Sequence, residues 1–181
     1  MTRSSAILLN TLGLYAIAAI LLAAFAMQFT LGELPCPLCL LQRAFFLALA
    51  IGPILNLRYG PRPSHYALSM LAAVAGAAVS ARQILLHILP GDPGYGSAIL
   101  GIHYYAWAFI LFVAALVLLA LMLVFDRQFQ EAEAPRPTLF GAFAVWLVIG
   151  LAAANMVSTA AICGFSLCPD NPVRYELFQR R

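Results

Sequence analysis

Five apolar runs, each long enough to cross a lipid bilayer as a helix, dominate the sequence. They cover approximately residues 6–28, 40–57, 66–89, 102–125 and 139–162. A helix needs about 20 apolar residues to cross the hydrocarbon core. Of the 181 residues, 64% are hydrophobic and only 9% are charged, which leaves too few charges to cover a water-facing surface. We therefore predict an all-α integral membrane protein, and we exclude a soluble domain and a protein that binds nucleic acid through a basic face.

The length and the loop pattern predict a single transmembrane domain, residues 1–168. A polar tail, residues 169–181, is expected to lie on the outer side or on the membrane surface. Residues 1–28 also have features of a cleaved secretory signal, because Arg3 supplies a positive N-terminal region. The apolar stretch is longer than the core of a usual signal, so we expect it to remain as the first span.

The arginines predict the orientation of the chain, because short cytoplasmic loops of membrane proteins collect positive charge and this chain has no lysine. Arginines occur at the N-terminus and in the loops after the second and fourth runs: Arg3, Arg58, Arg62, Arg127 and Arg136. The loops after the first and third runs have none. We therefore predict a cytoplasmic N-terminus. Three arginines of the tail then lie on the outer side: Arg174, Arg180 and Arg181.

The four cysteines form two pairs, and each pair follows an odd-numbered span. Cys36 and Cys39 follow the first span, whereas Cys163 and Cys168 follow the fifth. Both pairs are therefore predicted at the outer membrane surface, where thiol–disulfide exchange can pass two electrons from one pair to the other. The alternative for the second pair is an inert disulfide that clips the tail.

The first pair, Cys36 and Cys39, lies at a position that favours a reactive thiol. Pro37 suits the first turn of the second span, so Cys39 lies at a helix N-terminus, where free N–H groups and the helix dipole favour a thiolate. Arg43 follows one turn later on the same face, and an arginine inside a span indicates a functional site. The alternative is that Arg43 only extends to the interface as an anchor.

Other polar residues near the outer ends of the third and fourth spans are weaker candidates. Arg82, Gln83 and His87 lie near the end of the third run, and His103 lies at the start of the fourth. These side chains are consistent with a polar pocket near Arg43. Anchoring at the membrane interface is the alternative for Arg82 and both histidines.

Residues 36–43, CPLCLLQR, at the outer start of the second span resemble the DsbB family of disulfide bond formation proteins. Residues 94–107, which lead into the fourth span, are also similar to that family. The resemblance implies a bundle of four transmembrane helices in the bacterial inner membrane, here with a fifth helix added. It also implies re-oxidation of a periplasmic DsbA-like thioredoxin-fold oxidase, with electrons passed to the membrane quinone pool.

The resemblance implies roles for individual residues. Cys36 and Cys39 are the pair next to the quinone, which is ubiquinone or menaquinone, and Cys39 makes the thiolate contact with it. Arg43 holds the quinone. His87 matches a family histidine near the quinone, and Arg82 is a further candidate for cofactor binding.

The chain departs from the family pattern in its second cysteine pair. The family carries that pair between the third and fourth spans, but residues 89–102 of this chain contain no cysteine. Cys163 and Cys168 are therefore assigned by the parity of the spans alone. The resulting prediction is a relay in which a reduced periplasmic dithiol protein reduces Cys163–Cys168, and this pair then reduces Cys36–Cys39.

Two other classes of protein remain compatible with the four cysteines. One is a metal-binding membrane protein in which all four thiolates form one site, an arrangement that C-x-x-C spacing permits but that leaves Arg43 unexplained. The other is a non-catalytic membrane subunit with two structural disulfides.

Overall fold

The computed structural model describes residues 1–130 and 138–178. Its helices, strands and single-turn 3-10 segments follow in chain order: α1 Arg3–Thr30, α2 Pro37–Leu49, α3 Ile51–Tyr59, α4 Pro63–Leu86, β1 Ala98–Ile99, β2 Ile102–His103, α5 Tyr104–Leu123, a 3-10 turn Asp126–Phe129, α6 Leu139–Cys163 and a 3-10 turn Glu176–Phe178. With α2 and α3 taken as one span, the described part contains five helices long and apolar enough to cross a membrane. The predicted all-α membrane bundle is confirmed. Three arginines used to predict the orientation, Arg136, Arg180 and Arg181, lie outside the described residues.

The second span is broken into α2 and α3 at Ala50. Pro53 has no N–H to donate to the carbonyl of Leu49, four residues earlier, and its ring crowds that carbonyl. Ser69 of α4 satisfies the carbonyl instead, since its hydroxyl donates to Leu49 O at 2.8 Å. Gly52 allows the two segments to approach closely, because a Cβ there would lie only 2.3 Å from Ser69 Oγ.

Helix α5, which forms the fourth span, begins at Tyr104, two residues later than its apolar run. Residues 98–103 form a short antiparallel hairpin in which Ala98 pairs with His103. Leu100 and Gly101 both have positive φ, at 54° and 78°, which is the conformation that a two-residue hairpin turn requires. The apolar character of Ile102 therefore belongs to the hairpin rather than to the span.

The core lies where α1, α2, α4, α5 and α6 meet. Phe46 of α2 stacks on Phe112 of α5 with ring centroids 4.0 Å apart, and Leu14 of α1 and Val148 of α6 are buried in the same cluster. Gly76 of α4 faces the Phe112 ring, and a Cβ at this position would lie 2.3 Å from its Cζ. Small residues of α4 thus allow the aromatic pair to fill the centre of the bundle.

A buried polar network ties the helices together at the end away from the cysteines. Asn56 donates to Asn10 Oδ1 at 2.9 Å and accepts from His65 Nδ1 at 2.8 Å. Asn10 also donates to the hydroxyl of Tyr66, which donates to Gln128 Oε1 at 2.9 Å. The N-terminus lies at this end too, since Arg3 packs against Gly60, in the loop after the second span.

We expect Gly76→Ala to destabilise the bundle by about 1–3 kcal/mol, because the added methyl group overpacks the core against Phe112. The measurement is the thermal unfolding midpoint in detergent. Gly150→Ala in α6 is the matched control, since nothing lies within 4 Å of a Cβ there. Equal midpoints for the two variants would contradict the packing described.

Candidate functional site

The Cys36–Cys39 dithiol is built into the first turn of α2. Cys36 is the N-cap residue, and its sulfur accepts a hydrogen bond from the Cys39 backbone N–H at 3.2 Å. Pro37 occupies the first helical turn, as its spacing predicted. Both cysteines are free thiols; Cys36 is buried, and Cys39 is half-buried. The helix start therefore holds the two sulfurs on one turn, with orphan N–H groups beside them.

Gln83 of α4 connects the dithiol to the rest of the bundle. Its Nε2 lies 3.4 Å from Cys36 Sγ and 3.6 Å from Cys39 Sγ. Its Oε1 accepts from Gln42 Nε2 at 3.0 Å, which orients the amide so that its N–H groups face the sulfurs. A buried amide in this position stabilises negative charge on either sulfur.

The two thiols are not equivalent. The side-chain hydrogen bond to Cys39, together with burial and the Cys39 charge, raises the pKa of the Cys36 thiol well above its usual range. Cys36 therefore keeps its proton. Cys39 lies in the first turn of α2, where the helix dipole favours an anion, so it is the better candidate for the thiolate.

Arg43 is buried inside the bundle, with 8% of its surface exposed. Its guanidinium donates to Gln28 Oε1 at 2.7 Å and to the Ala24 carbonyl at 3.0 Å, both in α1. The ring of Phe25 lies 5.1 Å from the guanidinium carbon. The cation is thus compensated by an amide, a carbonyl and an aromatic face rather than by an acidic partner.

Gln28 extends this contact to the fifth span and the tail. Its Nε2 donates to Ser158 Oγ of α6 at 2.9 Å and lies 3.4 Å from the hydroxyl of Tyr175. The sequence analysis did not identify Gln28, Ser158 or Tyr175 as site residues. The one available signal was the polar side chain of Gln28 at the end of an apolar run. The fifth span therefore supports the arginine of the site.

A cavity of ≈ 320 Å³ opens beside Cys39 and Arg43. Its wall is mostly apolar, with rings from Tyr104, Tyr105 and Trp107. A small set of polar side chains also lines it: Gln28, Glu33, Cys39, Gln42 and Arg43. This volume and lining are typical of a small-molecule site.

The cavity fits a flat ring that carries carbonyl oxygens. Aromatic and aliphatic side chains provide apolar contact for the ring, and the Arg43 and Gln42 side chains are hydrogen-bond donors at the wall. One carboxylate oxygen, Glu33 Oε2, is buried there without a hydrogen-bond partner among the described residues. The apolar wall with donors at Arg43 and Gln42 therefore suits a flat ligand that carries hydrogen-bond acceptors.

The loop after α4 covers this cavity. The Tyr95 hydroxyl donates to the Leu34 carbonyl at 2.6 Å, and the Ser97 hydroxyl donates to the Glu33 carboxylate. Tyr95 and Gly96 also line the cavity. The segment that precedes the dithiol is thus fastened to the loop at two points.

The other predicted cofactor-binding residues, Arg82 and His87, are not among the described residues that line the cavity. Arg82 is exposed. The His87 ring stacks on Tyr105, which does line the cavity, with ring centroids 5.5 Å apart. His87 Nδ1 also lies 3.0 Å from Asp92 Oδ1, and the Gly94 N–H and His87 lower the pKa of that carboxyl.

Cys163 and Cys168 are joined in a disulfide at the end of α6. Cys163 is buried in one cluster with Leu34 and Leu40, which flank the first pair in the sequence, and Cys168 packs at its edge. Both cysteine pairs therefore lie at the same end of the bundle. Among the described residues, no group of three or more His, Cys, Asp or Glu side chains is arranged to hold a metal ion.

Comparison with known proteins identifies relatives for the first half of the chain. Residues 6–97 match the family model described as Disulfide bond formation protein DsbB. A Disulfide bond formation protein B from Xanthomonas axonopodis pv. citri is 40% identical over 86 residues, which are 45% of this chain and 50% of the relative. One from Marinobacter nauticus is 40% identical over 79 residues, or 41% and 47% of the two chains.

The chain thus matches about half the length of these curated relatives. The matched family segment contains the first cysteine pair, Gln28, Arg43 and Gln83, but it ends before Cys163 and Cys168. No solved structure gave a significant match. The second pair therefore has to be interpreted from its own surroundings.

We expect Gln83→Leu to slow alkylation of Cys39 by iodoacetamide about 3- to 10-fold at neutral pH, because it removes a hydrogen bond worth about 0.5–1.5 kcal/mol to the sulfur. The rate is measured by mass spectrometry on the reduced protein. Gln130→Leu, at an exposed position near the other end, is the control and should react like the wild type. An unchanged rate in Gln83→Leu would show that the amide does not activate the thiol.

Proposed function

The chain belongs to the DsbB family, and we propose that it is a membrane thiol:quinone oxidoreductase that re-oxidises a periplasmic DsbA-like dithiol protein. One observation carries the proposal: Cys39 and the buried Arg43 line the same apolar cavity, and Cys36 is held on the same helical turn as Cys39. A dithiol in reach of a cavity suited to a flat carbonyl ligand is the arrangement that thiol oxidation by a quinone requires.

The cofactor of this proposal is ubiquinone or menaquinone, which when bound supplies an acceptor for two electrons and two protons. Arg43 and Gln42 hold its oxygens as hydrogen-bond donors, and the apolar wall excludes water from the sulfur. Gln28 is a positioning residue, since it fixes the guanidinium from α1 at 2.7 Å. Arg82 and His87 do not line the cavity but remain candidates for cofactor binding. His87 contacts the cavity wall by stacking on the Tyr105 ring.

The dithiol performs the chemistry on the protein side. The Cys39 thiolate is the group that contacts the cofactor, stabilised by the helix N-terminus and by the Gln83 amide. Cys36 and Cys39 would then join in a disulfide, with the bound quinone as the acceptor of the two electrons that they lose. Closing that bond releases two electrons and two protons from the two thiols, which is the amount that quinol formation consumes.

The second pair connects this dithiol to the partner protein. Cys168 is half-buried, whereas Cys163 is only 6% exposed, so an incoming thiolate attacks Cys168 Sγ. The S–S bond breaks, the electron pair leaves on Cys163, and the partner's second thiol resolves the mixed disulfide. Cys163, packed with Leu34 and Leu40, then attacks the Cys36–Cys39 disulfide. Cys168 attacks Cys163 in the resulting mixed disulfide, which re-forms the Cys163–Cys168 bond and leaves Cys36 and Cys39 as thiols.

The proposed location is the bacterial inner membrane, with both cysteine pairs on the periplasmic side. An oxidising compartment is where disulfides form and persist. The packing of Arg3 against Gly60 supports a common side for the N-terminus and the arginine-containing loop after the second span, which is the cytoplasmic side under the positive-inside rule.

We expect Cys39→Ser to abolish quinone reduction by any thiol donor, because the serine hydroxyl is not a redox nucleophile. The double variant Cys163→Ser/Cys168→Ser should still reduce quinone with dithiothreitol but not with a reduced thioredoxin-fold protein. The loss of quinone absorbance measures both rates. Full activity of the double variant with the protein donor would instead support a structural disulfide.

We also expect Cys163→Ser to trap a mixed disulfide between Cys168 and a thioredoxin-fold protein that retains only its attacking cysteine. Cys168→Ser should trap at least about tenfold less, because Cys163 is buried. Non-reducing gel electrophoresis measures the yield of the complex. The reverse ranking would show that the partner enters through Cys163.

A further inference from the structure

We propose that Glu33 transfers a proton to the quinone in the cavity beside Cys39; this inference rests on the proposed function. Glu33 lies in the segment between α1 and the dithiol and lines the same cavity as Cys39 and Arg43. Its Oε2 is buried without a hydrogen-bond partner among the described residues. Nothing in the thiol relay uses this carboxyl group.

One carboxyl oxygen of Glu33, Oε1, is hydrogen-bonded within the protein, and the other, Oε2, is available to a ligand. Oε1 accepts from the Ser97 hydroxyl, which fixes the carboxyl plane. Gly96 and the Tyr104 ring border Oε2, since a Cβ at Gly96 would lie in ordinary contact distance of both, 3.5 Å from Oε2 and 3.4 Å from the ring. A buried carboxylate oxygen without a donor is costly, so the position favours a ligand next to Oε2 that shares a proton with it.

Of the described residues that line the wall, only Glu33 carries a carboxyl group, and a carboxyl is a stronger acid than the tyrosine hydroxyls there. The other titratable groups that line the cavity are Cys39, Arg43, Tyr95, Tyr104 and Tyr105. Arg43 keeps its proton at all relevant pH values. Burial raises the pKa of the Tyr95 hydroxyl, whose proton lies in the hydrogen bond to the Leu34 carbonyl. Cys39 acts as the thiolate and has no proton to give.

With Glu33 as the proton donor, the electrons and protons of the reaction balance. The two thiols lose two electrons to the quinone as they form the Cys36–Cys39 disulfide, and their two protons pass to water. Protonated Glu33 donates one proton from Oε2 to a quinone oxygen, and water at the cavity mouth supplies the second. The half-buried carboxylate then regains a proton from water. The sum is dithiol plus quinone giving disulfide plus quinol.

The test is Glu33→Gln, which keeps the shape of the side chain and an acceptor for Ser97 but has no transferable proton. General acid catalysis contributes about 10²- to 10⁴-fold, so we expect single-turnover quinol formation to slow about 100-fold or more. Quinone affinity, measured by quenching of Trp107 fluorescence with ubiquinone-1, should change by less than about threefold. Asp170→Asn, an exposed carboxylate at the same end, is the control and should behave like the wild type.

A second readout is independent of turnover. Infrared difference spectra of the full-length protein with and without ubiquinone-1 should contain a carboxyl C=O band that shifts on binding and is absent in Glu33→Gln. The proposal is overturned if the wild type has no such band, if the variant reduces quinone at the wild-type rate, or if the variant loses quinone affinity and thermal stability together. If the wild type does not reduce quinone at all, the proposed function fails and the proton transfer fails with it; if both proteins reduce quinone at the same rate, only the proton transfer fails.

Discussion

The hydrogen bond between Arg43 and Gln28, 2.7 Å long and buried in an apolar bundle, is the contact on which the arrangement of the site depends. A cation in this environment is tolerated only if its donors are satisfied. Gln28 and the Ala24 carbonyl provide that compensation from α1. Because Gln28 also bonds Ser158 and approaches Tyr175, the same compensation ties the fifth span and the tail to the helix that carries the dithiol.

The polar side chains at the two ends of the bundle differ in how completely they are hydrogen-bonded. Away from the cysteines, Asn10, Asn56, Tyr66 and Gln128 bond to one another across helices, and such a connected network contributes stability and register. At the cysteine end, the amide of Gln83 is shared between two sulfurs, and Glu33 keeps an oxygen unpaired in a cavity. Unsatisfied polar groups beside a cavity are the mark of a site that completes its bonds with a ligand.

The fifth span changes how the second cysteine pair reaches the first. In this chain the disulfide of Cys163 and Cys168 ends a transmembrane helix instead of lying in a loop, and Leu34 and Leu40 pack against Cys163. A helix end fixes the position of a disulfide better than a long loop does, because fewer backbone torsions separate it from the core. The loop after α4, free of cysteine, instead covers the cavity through Tyr95 and Ser97.

The sequence by itself determined the number of spans, the placement of Cys39 at a helix start behind Pro37, and the end of the bundle at which each cysteine pair lies. Run length, proline geometry and the parity of crossings are properties of the chain alone. It did not distinguish Arg82 from Gln83, of which only Gln83 reaches the dithiol, nor did it mark Glu33, Ser158 or Tyr175. Those choices depend on how each helix is rotated about its own axis, and in helices that are apolar on nearly every side only packing against neighbours sets that rotation.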